Sequence, residues 1–426
     1  MWCAADLYTG IGDHVEIEGL AALVKRDTQR PANSHIHLPP NFSAFDTVEQ
    51  AVNLASEQGL QVLGASNYYD YSVYESLANA CRSKGIAPLF GTEIICLIEE
   101  LRSAGVKLND PGNPGKMYLC GKGITAFSRS TLSKKASDLL ATIRNNDSKR
   151  MAEMSLLLAK VITERGVPLQ LTENSVKEMI VKRHGCEPDT VYIQERHIAQ
   201  AAQEAIFRLV PEVDLQAALT QLFGIEPKNI TPASIQNDIR SHLLKAGKPA
   251  FVPETFVDFD HACSLILALG GIPCYPILAD GAKPLCGYEA DTDDLVKATK
   301  ARGIHCVELI PVRNSPEETT RYAKAMRSAG FIVTAGTEHN TLDLIPMEPM
   351  CLNGAPIPDE VKAIFWEGAC VVAAHQYLVS RGLTGYVDED GNLSGHFASK
   401  EARIAHLHSI GAAVIEALIA RSGLHA

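Results

Sequence analysis

The strongest constraint on the fold is an alternation of short apolar runs with amphipathic stretches, broken once and then resumed. Over 33–98 an apolar run at 34–38 precedes helical spacing at 47–58, with Asp46 or Thr47 as the cap. A second run at 61–65 precedes helical spacing at 73–84, which Gly85 closes, and a third lies within 86–98, interrupted by Gly91. A fourth, at 116–120, follows the turn-rich NDPGNPGK. Alternation of this kind builds parallel strands joined by helices, a β/α architecture. From about 130 to 247 it stops: 134–165, 193–209, 215–223 and 235–246 carry helical spacing with few β-branched runs, which reads as a helical insertion. It returns as helix 261–269, strand 271–275, helix 293–302, strand 305–310, helix 316–328 and strand 331–335. Two apolar helices, 359–378 and 402–421, follow, and are expected outside the barrel or against a second copy of the chain, which makes a homo-oligomer one expected partner.

The 426 residues therefore divide into an N-terminal extension (1–32), two barrel segments (33–129 and 251–345) around a helical insertion (130–250), and a C-terminal helical extension (346–426). With 46% hydrophobic and 21% charged residues the chain is of ordinary globular composition, which excludes wholesale disorder. Its 39 Lys and Arg against 50 Asp and Glu, a formal charge of −11, give no general attraction for a nucleic acid duplex or an anionic membrane, so an anionic small molecule must be captured locally. The first residues lack a basic segment followed by an apolar run, and the apolar stretch 264–279 is broken by Gly270, Gly271, Pro273 and Pro276. Eleven Cys without a C-x-x-C pair suggest reduced thiols, so a cytoplasmic location is expected.

The chemistry starts from Ser34-His35-Ile36-His37. Residues two apart on a strand share a face, so His35 and His37 can present two imidazoles to one cation. Barrel enzymes collect their reacting groups at the carboxyl ends of strands. There the chain places Ser66-Asn67-Tyr68-Tyr69-Asp70, Gly91-Thr92-Glu93, Tyr275-Pro276 and Gly336-Thr337-Glu338-His339-Asn340. Glu93 and Glu338 are candidate ligands or acid/base groups. Tyr68, Tyr69, Tyr71 and Tyr74 cluster in a chain only 6% aromatic, and could stack on a sugar or base, with Tyr68 or Tyr275 as an acid/base group. Arg196, with Lys122, Arg183 and Arg313, could bind a phosphate or carboxylate.

The order of these segments resembles the polymerase and histidinol phosphatase (PHP) superfamily, closest to its nucleotide phosphoesterase-like branch. The matching stretches are NSHIHL, LGASNYYD, PLFGTEI, ERHIAQAA, the segment KAGKPAFVPETFVDFDHACSLILALGGIPCYPIL and TAGTEHN, over roughly 33–345. The resemblance implies an α/β fold, a distorted (β/α)7 TIM-like barrel whose mouth holds up to three divalent ions, commonly zinc, manganese or iron. It places His35, His37, Glu93 and His197 on ligand positions. The family's Asp-His pair, however, aligns with Asn67 and Tyr68, its Ala-His-Pro imidazole with Tyr275, and its G-S-D-x-H with a segment in which Glu338 replaces Asp and Asn340 replaces the last His. His339 stands one place early.

One or two ions are therefore expected, held by His35, His37, Glu93, His197 and Glu338, with Glu338 or His339 completing the site or acting as base. Asn67, Tyr68, Tyr69, Arg196 and Arg313 are the candidate substrate contacts. The activity implied is that of a metal-dependent hydrolase, a phosphoesterase acting on a small phosphorylated metabolite or nucleotide through metal-activated water. A sugar-acid lyase or isomerase using one metal or tyrosine acid/base chemistry, and a catalytically silent binding protein, are the alternatives. The insertion is expected to wall the cavity and set substrate size.

Overall fold

A computed structural model describes residues 2–24, 29–128, 130–395 and 397–422. Eight strands form one sheet: β1 (Ala32–Ile36), β2 (Val62–Ala65), β3 (Ala87–Leu97), β4 (Lys116–Lys122), β5 (Val257–Asp258), β6 (Ile272–Ile277), β7 (Cys306–Leu309) and β8 (Ile332–Ala335). Seven follow one another around a ring in the order β1-β2-β3-β4-β6-β7-β8, while β5 pairs with the far end of β3. The segment just past β8 brings the ring back to β1. The N–H groups of Thr337 and Glu338 donate to the His35 carbonyl at 3.1 and 2.9 Å, and that of His37 donates to the Glu338 carbonyl at 2.8 Å. The result is a nearly closed, distorted TIM-like barrel. Gly336 makes this closure sterically feasible, because a Cβ there would stand 2.3 Å from the His35 Cβ.

Local signals position several helices. Thr47 Oγ1 accepts the Gln50 N–H at 3.1 Å and starts helix Val48–Glu57, so Thr47, not Asp46, is the cap. Gly85, left-handed at φ 66°, ends helix Tyr74–Lys84. One expectation needs correcting: β4 is antiparallel to both β3 and β6. The connection from β3 holds no helix longer than the five-residue Glu99–Ser103, too short to pack along the sheet as the crossover helix that usually joins parallel neighbours. The sequence reading also missed helix Glu173–His184, on which only Val176 and Ile180 are buried, too narrow an apolar stripe to show a period.

Among the described residues two extended hydrophobic cores result, beside a small separate cluster of Leu278, Ala282 and Cys286. The larger joins the barrel strands to the N-terminal Ala4, Leu7 and Tyr8 and to the final helices Asp359–Ser380 and Lys400–Ser422. The smaller is built within 151–252, from residues such as Met154, Leu158, Ile198, Ile206, Leu219 and Ile239. Helix Lys134–Glu164 bridges them: Ala136, Leu140 and Ile143 pack in the first core, Met154 and Leu158 in the second. Among the described residues Lys400–Arg421 is long and apolar enough to cross a membrane, yet more than half of its apolar window is buried, and it packs against helix Asp359–Ser380.

Candidate metal centre and cavity

β1 carries His35 and delivers His37 just past its end, and the middle of β3 carries Glu93 beside them. All three side chains are buried. Their donor atoms form a nearly equilateral triangle: His35 Nε2 to His37 Nε2 is 3.4 Å, His35 Nε2 to Glu93 Oε2 is 3.3 Å and His37 Nε2 to Glu93 Oε2 is 3.5 Å. Ligands bound tetrahedrally at 2.0–2.1 Å are separated by about 3.3–3.4 Å, so this set fits a divalent ion such as zinc. Two imidazoles and one carboxylate are also donors that catalytic sites use. The carboxylate of Glu93 is held well below its ordinary range: burial opposes ionisation, and the two imidazoles outweigh it.

A second grouping, His35, Glu93 and Cys120, also has donor atoms within 4.8 Å of one another. Cys120 Sγ, however, lies 4.0 Å from His35 Nδ1, a nitrogen already engaged elsewhere, and burial pushes its thiol up to about 11. His37 is therefore the better third donor.

Beneath the triangle, Glu308 Oε2 lies 2.6 Å from His35 Nδ1. This carboxylate on β7 accepts from Lys122 Nζ at 2.6 Å and from Thr334 Oγ1 at 3.3 Å through its other oxygen. Lys122 also donates to the Ser34 carbonyl at 3.2 Å. A carboxylate on Nδ1 keeps the proton there and turns the Nε2 lone pair toward the other donors, an arrangement common behind metal-bound histidines. Burial disfavours charging the His35 ring, but the Glu308 carboxylate outweighs it and raises the pKa well above the ordinary imidazole value, so the ion-free ring also carries a proton on Nε2, which a bound cation would displace. Glu308 was missed in the sequence; the signal was a lone carboxylate inside the apolar strand CVEL. Lys122, expected at the mouth, is instead buried as the counter-charge of Glu308.

The other expected site residues divide into those that face the cavity and those engaged elsewhere. Tyr68 stacks on the His37 ring (5.2 Å between centroids, 3° between planes) and donates its hydroxyl to Glu93 Oε1. Tyr69 lines the same cavity, its hydroxyl accepting the Ile95 N–H at 3.1 Å. Asn67 is fully buried and turned to the backbone: its amide bonds both the N–H and the carbonyl of Leu38, each at 2.8 Å, and so pins the β1 loop. Tyr275 is fully buried and donates to Glu289 Oε1 at 2.8 Å, outside the cavity lining.

His197 also stands apart from the cavity lining. Its Nδ1 accepts the Gln194 N–H at 3.0 Å at the start of helix Glu195–Leu209, which leaves the ring proton on Nε2 and no lone pair for an ion. Burial, together with the charges of His184 and Arg183, pushes it down to about 3. His339 engages both nitrogens, with Thr337 Oγ1 at 2.7 Å and the Ile345 carbonyl at 3.0 Å. Glu338 does reach the cavity; its Oε2 accepts from Arg313 and from Asn340 Nδ2, the latter at 2.7 Å. Arg183 pairs with Glu204 on the insertion.

The cavity has a volume of about 580 Å³ and runs from Tyr68, Glu93 and Glu338 to a wall contributed by the insertion. On that wall Arg240 Nε and Lys245 Nζ share Glu195 Oε1 at 2.8 and 3.3 Å, and Arg150 Nε donates to the Val252 carbonyl at 3.2 Å. Asp147 accepts the Tyr192 hydroxyl, and burial pushes its carboxyl up to about 6. Arg196 has neither hydrogen bond nor ion pair among the described residues; its guanidinium lies 5.8 Å from the Phe42 ring centroid. Burial, with the like charge of Arg240, lowers its pKa to about 10. Glu338 and Glu195 oppose that fall from a distance, and a guanidinium without a direct ion pair in a cavity wall is a ready anion contact.

No family model matches the sequence, and no curated protein matches it. Among solved structures the chain is similar to a protein of Bifidobacterium adolescentis described provisionally as a metal-dependent phosphoesterase, at TM-score 0.52 and 16% identity, covering 78% of this chain and 94% of that one. A second match, at TM-score 0.49 and 16% identity over 78% of this chain and 96% of the other, is an amidohydrolase of Chromobacterium violaceum with bound sulfate and no metal. The first likeness shows the barrel fold, and at this identity fold is all it shows.

Proposed function

We propose that this chain is a metal-dependent hydrolase of the polymerase and histidinol phosphatase type, acting as a phosphoesterase on a small phosphorylated metabolite or nucleotide in the cytoplasm. The observation that carries the reading is the triangle of His35 Nε2, His37 Nε2 and Glu93 Oε2, with sides of 3.3–3.5 Å, beside a cavity whose wall holds the unpaired Arg196. His35, His37 and Glu93 would hold the ion. Bound there, a divalent ion supplies Lewis acidity toward a phosphoryl oxygen and lowers the pKa of water.

The chain's own side chains do the rest. Arg196 binds phosphate oxygens through its paired N–H groups. Arg313 and Asn340 hold Oε2 of Glu338, leaving Oε1, which has no hydrogen bond among the described residues, to take a proton from the attacking water. Tyr69, at the metal end, and Tyr192, on the insertion wall, offer faces for a sugar or base. A cavity of about 580 Å³ suits a nucleotide-sized ligand, not a duplex.

The test is phosphate release from a panel of sugar phosphates and nucleotides by the purified, chelator-stripped and metal-reloaded protein. Hydrolysis that disappears on stripping, returns with zinc, manganese or iron, and is lost in His35→Ala supports the reading. An intact, ion-loaded protein that releases no phosphate across the panel but converts unphosphorylated sugar acids would replace it with the lyase or isomerase alternative.

A further inference from the structure

We infer that this chain holds one divalent ion, and that Tyr68 is the residue that keeps a second one out. The inference rests on the metal-site reading above and concerns its stoichiometry. A carboxylate that joins two ions must offer one oxygen to each. Glu93 cannot do so here: Oε2 faces the two imidazoles at 3.3 and 3.5 Å, while Oε1 receives the Tyr68 hydroxyl. The Tyr68 ring is parallel to that of His37, at 3° and 5.2 Å, so the phenol is fixed from its flat side as well as from its tip. It fills the space beside Glu93 Oε1 that a neighbouring ion would need, and at neutral pH a protonated phenol is a poor ligand.

Among the described residues nothing else nearby supplies a second donor set. His339 uses both ring nitrogens, and His197 Nδ1 accepts a backbone N–H. Among the described residues the remaining carboxylates of the cavity have protein partners: Asp110 and Glu254 in Lys116, Asp147 in Tyr192, Glu195 in Arg240 and Lys245, and Glu338, through Oε2, in Arg313 and Asn340; Glu338 Oε1 alone is one donor and does not make a second set. The donors that converge on one point are three, His35 Nε2, His37 Nε2 and Glu93 Oε2. Tyr68 thus acts through Glu93 as a positioning residue that sets how many ions the barrel takes.

The experiment is elemental analysis of the full chain after saturation with zinc or manganese and removal of free ion, on the wild type, Tyr68→Phe and Tyr68→His, with circular dichroism and melting to check folding. One equivalent is expected in the wild type. Tyr68→Phe is expected to keep one ion, bound about tenfold or more weakly because the donor to Glu93 Oε1 is gone. Tyr68→His, which frees Oε1 and adds an imidazole beside it, is expected to rise toward two. Two or more ions in the wild type overturn the inference and leave the hydrolase reading standing; none overturns both. A folded Tyr68→His that still holds one ion, or a Tyr68→Phe with unchanged affinity, removes Tyr68 from the role.

Discussion

Glu308 Oε2 and His35 Nδ1 stand 2.6 Å apart although 273 residues separate them in the chain. This contact joins the second barrel segment to the first at the point where an ion would bind. Glu308→Gln retains the shape but removes the charge that orients the ring, so metal affinity is expected to fall about 10- to 100-fold. Competition titration with a chromophoric chelator measures it, and unchanged affinity would leave Glu308 as a bystander.

Lys122 is 2% exposed and Glu308 fully buried. Lys122→Met leaves a buried carboxylate without its cation, at an expected cost of about 3–5 kcal/mol. Chemical denaturation checks the value; a loss below about 1 kcal/mol would mean that the pair is relaxed or hydrated in solution.

For Arg196 the expected signature is kinetic. Arg196→Ala should raise KM for a phosphorylated substrate about 10- to 100-fold, the equivalent of one charged hydrogen bond or two, with ion content unchanged. Equal KM values would move the anion contact to another side chain of the insertion wall.

Burial pushes the Glu289 carboxyl up to about 7, against an ordinary value of 4.5, although Tyr275 and the N–H groups of Leu278 and Ala279 bond it. Below pH 4.5 both folded and unfolded states carry the proton and no cost arises. Between about 4.5 and 7 the unfolded state ionises first, so the folded state loses stability as pH rises, by up to about 3 kcal/mol. Glu289→Gln cannot ionise and should gain on the wild type by about that amount between pH 4.5 and 8. Urea midpoints that shift in parallel for the two proteins across this range would contradict the assignment.

Helix Lys400–Ser422 presses Gly411 against helix Asp359–Ser380 so closely that a Cβ would lie 1.7 Å from the Cys370 carbonyl oxygen. Gly411→Ala must separate the helices and should cost about 1–3 kcal/mol, read as a drop in melting temperature. A variant that melts with the wild type would show that the two helices are free to part.

What the sequence disclosed follows physical lines. His35 and His37 were visible because a two-residue spacing on a strand fixes a shared face, and Glu93 because it follows a strand's apolar run. Glu308 was hidden because its meaning depends on an imidazole 273 residues away. His197 and His339 misled for the opposite reason: their types suit a ligand, but backbone groups that no pattern displays, the Gln194 N–H and the Ile345 carbonyl, occupy them. The alternation of runs pointed to the barrel, while the reversed direction of β4 goes with a connection that lacks a helix of crossover length. The unusual backbone after β8 was invisible as well: Glu338 and His339 both adopt left-handed φ, 61° and 49°, which non-glycine side chains resist.

The three converging donors His35, His37 and Glu93 stand on strands of one hydrophobic core, and Arg150, Arg240 and Lys245 extend from a region packed around another. Away from the shared helix Lys134–Glu164, each core can therefore change without repacking the other. On the proposed hydrolase reading, replacing residues within 151–252 would alter which molecule is admitted while the barrel kept its chemistry, so one scaffold of this design would yield catalysts with different diets and a common reaction.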